Sequence, residues 1–296
     1  MEFSDEKLMS MVVSADNDAF IAGVEPKKRV FPVIQSVMRQ LGYESYVLAG
    51  LHEDPLVGRI QRLHSSMYRS KDLATGGVHG GVYMFRDVFV QISIPMIYGQ
   101  VELDILSLTD MSDLQKKLLC MNPEFLAQFA DQLIDVFDFG AGLVGFDDAV
   151  KLEDELLPKF ELAKYQLHAA AAVLCSSFDY RGALQSGLLA AELVLKAGLS
   201  ASGYTASQLK GLGHNLDKCV SAFCEKNSAA DFDRMSHASK ALPKFVENRY
   251  SSAQPDRRSA GEFVMTSQYI AGEVVRQFSK WSIRERIVDF PNRSYP

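Results

Sequence analysis

Apolar residues recur at positions 30, 33, 34, 37, 38 and 41 in the stretch Arg29 to Leu41, the spacing of one helical face, and Gly42 closes it. Pro55 to Tyr68 repeats the pattern, with Leu56, Ile60, Leu63 and Met67 on one side. Between them, Tyr46 to Ala49 is a short apolar run of strand character. The period changes after TGGVHGG, residues 75–81, a glycine-rich break. Val82 to Phe85, Val88 to Ile94 and Val101 to Leu106 are rich in β-branched and aromatic residues. Arg86-Asp87 and Tyr98-Gly99-Gln100 separate them, so the three runs predict an antiparallel meander. Met111 to Leu119 and Pro123 to Phe139 return to helical spacing, and FGAGLVGFDD, residues 139–148, reads as a glycine-rich boundary.

Beyond that boundary the helical period holds almost throughout. Lys151 to Phe178, Tyr180 to Leu199, Asn215 to Lys226, Asp231 to Glu247 and Ser259 to Ile287 are the expected helices. Short links and no strand signal predict an antiparallel bundle. The fold class expected is α+β: a mixed domain over residues 1–145 containing the meander, then an all-α domain over residues 150–296.

Length and composition fit this division. A chain of 296 residues with 47% hydrophobic content has enough apolar material for two cores. Residues 1–150 hold 12 Lys and Arg against 21 Asp and Glu, a balance of −9, whereas residues 151–296 hold 19 against 16, a balance of +3. Halves of opposite sign suit different partners, and the acidic one is a candidate surface for a protein partner. Cys120, Cys175, Cys219 and Cys224 show no CxxC pairing, which disfavours a disulfide framework or a zinc site and fits a reduced, cytoplasmic setting. MEFSDEKL has no signal-peptide pattern, and no apolar run approaches the ~20 residues that cross a bilayer.

One stretch carries a family resemblance. A long helix is followed by FDYRGAL, AAELVLKAGL, GHNL and NRY, then a final helix. The most specific points are Asp179-Tyr180-Arg181 with Ala183, Ala191-Glu192 with Lys196, Gly213-His214-Asn215-Leu216, and Arg249-Tyr250. Over residues 155–280 the chain resembles the HEPN domain family. The resemblance implies a helical bundle that pairs as a dimer, in a stress, defence or toxin–antitoxin type of setting. Many members are ribonucleases or partners of nucleotidyltransferases. The family's ribonuclease signature is an Arg separated from a His by four to six residues, late in the bundle. No histidine follows Arg249, so RNA cleavage by that route is not expected.

The candidate ligand-binding residues are Glu192, Lys196, His214, Asn215, Arg249 and Tyr250; no catalytic, metal or cofactor residue is assigned. Glu192 and Lys196 stand four apart on one helix, as an ordinary ion pair or as part of a polar seam facing a ligand. His214 either holds a loop against the bundle or meets a phosphate or base edge, and Asn215 can cap the next helix. Arg249 suits a phosphate and Tyr250 a base, unless both belong to a solvated loop. Arg59-x-x-x-x-His64 matches the ribonuclease spacing by coincidence, in the other domain. Glu102 and Asp104 would share one face of a strand, faintly like a degenerate nucleotidyltransferase that has lost its Gly-Ser and its second acid. The expected function is therefore a non-catalytic, homodimeric binder of a nucleotide or RNA. The rivals are an enzyme, either a ribonuclease with non-standard residues or a nucleotidyltransferase, and a protein–protein adaptor.

Overall fold

The structure, a computed structural model, describes residues 3–48, 54–73, 77–97, 99, 101–145, 156–176, 180–244, 253–287 and 293–296. It is largely helical with one two-stranded antiparallel sheet, an α+β chain. Contacts divide it into two compact units, Met1–Gly76 and Gly77–Pro296. The glycine-rich boundary expected at residues 139–148 lies within the span of the second unit.

The first unit holds α1 (Asp5–Ile21), α2 (Val30–Gln40), α3 (Pro55–Ser66) and the single turn α4 (Ser70–Leu73). Helix α1 lies outside the elements expected from the sequence, and Tyr46, Val47 and Leu48 form no strand. Leu8 and Val12 meet Val33, Ile34, Val37, Val57 and Ile60 in an apolar core. Asp16 is buried among them and is satisfied there. It accepts hydrogen bonds from Tyr68 Oη at 2.6 Å and His64 Nε2 at 3.2 Å, with Arg29 Nη1 3.6 Å away. A buried carboxylate with three partners ties α1 to the segments before α2 and after α3.

The second unit begins with β1 (His79–Phe85) and β2 (Val88–Ile94), paired antiparallel with Tyr83 opposite Val90. The expected third strand does not form. Asp104 instead accepts the amide of Leu106 at 3.0 Å and starts a 3-10 turn over Ile105–Leu108, leaving one bridge between Ile92 and Thr109. A short acidic side chain that bonds two residues ahead competes with the ladder and wins here. The strand face assumed for Glu102 and Asp104 is lost with it.

The outer edge of β1 is closed by helical side chains. The amide of Gly80 donates to His168 Nε2 at 3.2 Å and that of Met84 to Met265 Sδ at 3.3 Å. Between them Gln268 bonds both the N–H and the C=O of Val82 at 2.8 Å, as a neighbouring peptide would. Alternate edge groups along a strand point the same way, so three residues on two helices replace a third strand. Those helices are α7 (Leu156–Leu174) and α12 (Arg257–Arg276).

Helix α5 (Asp113–Cys120) precedes α6 (Pro123–Val144), which runs through the glycines expected to form a boundary. A Cβ on Gly140 would lie 2.3 Å from that of His79, so the glycine lets α6 lie against β1. Close approach, not flexibility, is what the glycine serves. Helices α8 (Arg181–Ala201), α9 (Ala206–Leu212), α10 (Leu216–Lys226), α11 (Phe232–Ala241) and α13 (Ile283–Arg286) complete the unit. The single helix expected from Ser259 onward is thus two, since α12 stops at Arg276 and Ser282 caps α13 through the amide of Glu285. Phe139, Phe160, Leu195, Phe223 and Tyr269 belong to one core, and Phe129 and Val136 pack with the hairpin in another.

Candidate functional site

Glu192 and Lys196 lie one turn apart on α8, and their charged atoms meet at 2.6 Å. Helix α9 ends at Gly213, whose φ of 60° is a left-handed turn that glycine adopts without strain. The turn delivers His214 to the same carboxylate, with Nδ1 2.9 Å from Oε2 and 3.0 Å from Oε1 of Glu192. A ring nitrogen facing two carboxylate oxygens carries its proton, so Nδ1–H donates. Asn215 then caps α10 by accepting the amide of Lys218 at 3.0 Å. Its role is to start that helix, and the cap fixes the backbone immediately after His214.

The side chain of Glu192 is only 6% exposed, whereas that of His214 is 54% exposed. A buried anion therefore orients a cation and an imidazole whose outer parts reach the surface. Burial raises the thiol of Cys219 to about 11, with Lys196 opposing the shift and Glu192 adding to it. A neutral, buried thiol is no nucleophile. The cluster presents N–H donors and positive charge, and its chemistry is that of binding.

Three of the sequence-derived candidates, Glu192, Lys196 and His214, thus converge, with Asn215 beside them. Arg249 and Tyr250 lie outside the described residues, as does Asp179. Arg59 and His64 are not paired: Arg59 binds Asp5 at 2.5 Å, while His64 is fully buried against Asp16. Of TGGVHGG, the residues from His79 onward are strand.

Two clusters escaped the sequence analysis. Asp131, Asp135 and Asp138 form an i, i+4, i+7 row on α6 and receive three arginines from the C-terminal part of the chain. Arg276 bonds Asp135, Asp138 at 2.8 Å and Glu273 at 2.6 Å. Arg293 bonds Asp135 at 2.5 and 3.0 Å, and Arg284 bonds Asp131 at 2.5 Å. Asp131 also accepts the amide of Ser294 at 2.6 Å, and Asp138 that of Ile283 at 2.6 Å. Acids repeating on one face of an otherwise apolar helix were the available signal. The second cluster is His79 and His168, stacked with Nδ1 and Nε2 at 2.9 Å. Burial holds both below the ordinary histidine value, His79 well below it, and the charge of Lys164 acts in the same direction.

Among the described residues no group of three or more His, Cys, Asp or Glu side chains is arranged to hold a metal ion. The four cysteines are free thiols, and no described helix is long and apolar enough to cross a membrane. No family model, curated protein or solved structure matches this chain.

Proposed function

We propose that the chain is a HEPN-like, dimerising module that binds a nucleotide or RNA without cutting it. The observation that carries this reading is the convergence of Lys196 and His214 on the buried carboxylate of Glu192, with the imidazole half exposed. Side chains from α8 and from the turn after α9 meet where an anionic ligand can be offered a cation and the half-exposed imidazole edge. Arg249 and Tyr250 remain candidate ligand residues on the strength of the sequence resemblance alone.

Two stretches are rich in small and apolar residues, Ala169 to Ala172 and Leu188 to Leu195, and bear on the dimer. Leu188, Ala190, Ala191, Val194 and Leu195 are buried within the chain and unavailable to a partner. Helix α7, however, leaves Leu162, Tyr165, Ala169 and Ala172 exposed at spacings of three and four, a seam with alanines that allow close helix approach. We assign the second copy to this seam. Light scattering at micromolar concentration should report twice the chain mass of 32.9 kDa, and Tyr165→Glu should return it to one chain. A single-chain mass for the wild type removes the dimer from the reading.

A second reading, a protein–protein adaptor, draws on the first unit, where Phe20, Ile21 and Phe31 are exposed. Calorimetric titration with a short single-stranded RNA at low salt separates the two. Binding that weakens steeply with added salt supports the nucleic-acid reading. No heat at any salt favours the adaptor. Ribonuclease action is the enzymatic rival, and cleavage lost in His214→Ala would establish it.

A further inference from the structure

The turn of the hairpin and the start of α12 frame a pocket of about 630 Å³, within the range of small-ligand sites. Tyr83, Met84, Phe125 and Met265 give it apolar and aromatic lining, and Tyr295 closes one side. Its charged rim is Arg86, Asp87, Arg258 and Glu262, with Gln128 beside them. The Arg86 and Arg258 side chains make no hydrogen bond or ion pair with any described residue, unlike the arginines bound to the aspartate row of α6.

The position of Arg86 is the second observation. It is the one described non-glycine residue at positive φ, 61°, and it occupies the first place of a two-residue hairpin turn. Glycine is the residue that turn prefers, and a long side chain there strains the backbone. The strain persists where the side chain is needed, and this one lines the pocket.

We infer that the pocket binds a nucleoside monophosphate. Two guanidinium groups suit a phosphate, which each can grip through two N–H groups. Asp87 and Glu262 offset that charge, so a bare anion gains little, but they accept hydrogen bonds from ribose hydroxyls or a base amine. Phe125 and Tyr295 offer aromatic surface to the base, and the methionines give an adaptable floor. The Tyr83 hydroxyl, whose pKa burial raises, stays protonated and donates to Phe125 O at 3.2 Å. A polyamine would meet the arginines, and an apolar ligand would strand four charges. The inference shares with the preceding reading only the class of ligand, because none of these residues belongs to the Glu192 cluster.

The test is calorimetry on the full chain at low salt with the four nucleoside 5′-monophosphates, the matching nucleosides and inorganic phosphate. At least one monophosphate should bind, with its nucleoside and phosphate each weaker by roughly ten-fold or more. Arg258→Gln should weaken it by roughly ten- to hundred-fold. Arg86→Gly should weaken it too while raising the melting midpoint by about 2–4 °C, because the turn is relieved. Arg39→Gln, at an exposed position of α2 in the other unit, should leave it unchanged. Absence of heat with every monophosphate at millimolar concentration overturns the assignment, as does binding that survives the Arg86→Gly, Arg258→Gln double variant. Binding lost in His214→Ala but kept in Arg258→Gln places the nucleotide at Glu192, which sinks this inference and leaves the preceding reading standing.

Discussion

Asp135 and Glu192 are both buried carboxylates that each hold two basic side chains, and they do opposite work. Asp135 is fully buried, and its partners Arg276 and Arg293 are 3% and 10% exposed. Those arginines are engaged in turn by Asp138 and Glu273 or by the backbone of the C-terminal segment. Burial pulls the Arg276 pKa down, but Asp135, Glu273 and Asp138 together raise it above the ordinary value, so the charge is permanent. Glu192 is 6% exposed, yet its partners reach the surface, Lys196 at 23% and His214 at 54%. One arrangement spends all its charge inward and fastens the C-terminal segment to α6. The other keeps an anion inside so that a cation and an imidazole stand outside. The identity of the residues does not separate the two roles; the exposure of the partners does.

The largest effect comes from removing the fastening and keeping the presented cluster. A fragment of residues 150–296 retains Glu192, Lys196 and His214 but lacks α6 and the hairpin. Arg276, Arg284 and Arg293 lose their aspartates, and Gln268 loses the strand edge it closes. It should fail to give a cooperative helical melt by circular dichroism, whereas residues 77–296 should melt as one unit. A cooperative melt of the shorter fragment would make the aspartate row dispensable.

Single substitutions sharpen the contrast. Arg276→Met removes the cation shared by Asp135, Asp138 and Glu273, leaving Arg293 on Asp135 alone, and should cost about 3–5 kcal/mol in urea denaturation. Glu192→Gln keeps the shape and part of the hydrogen bonding, and should cost only about 1–2 kcal/mol. Equal losses would erase the distinction.

The smallest effect is set by pH. His79 and His168 are neutral when folded, with pKa values pushed below the unfolded value of about 6.5 by burial. Below that value the unfolded chain binds more protons, so stability is full above it and falls as the pH drops toward the folded values. Each histidine adds a slope of up to about 1.4 kcal/mol per pH unit. Stability measured from pH 7 to 5 should fall, and His168→Gln should flatten the curve. A flat wild-type curve would mean that the pair is not buried neutral.

Much of this was legible in the sequence, for reasons visible residue by residue. The face of α2 and the cap at Asn215 follow local rules, and the structure keeps them. Glu192 and Lys196 could be paired from their spacing, and the resemblance brought in His214. What failed depended on distant partners. Gly140 reads as a linker unless His79 is known to press against it. Val101 to Leu106 reads as a strand beside β2 unless Asp104 is known to accept the amide of Leu106 and turn the chain. The aspartates of α6 are a helical row in the sequence, but their arginines lie more than a hundred residues away.

The central claim is that the Glu192 cluster presents charge for a ligand rather than fastening the fold. The direct test is His214→Ala, measured for stability by urea denaturation and for affinity by titration with single-stranded RNA at low salt. Stability within about 1 kcal/mol of wild type, together with roughly ten-fold weaker RNA binding, is the result predicted. A loss of about 3 kcal/mol or more, with wild type binding no RNA, would contradict it and make His214 a fastening like Arg276.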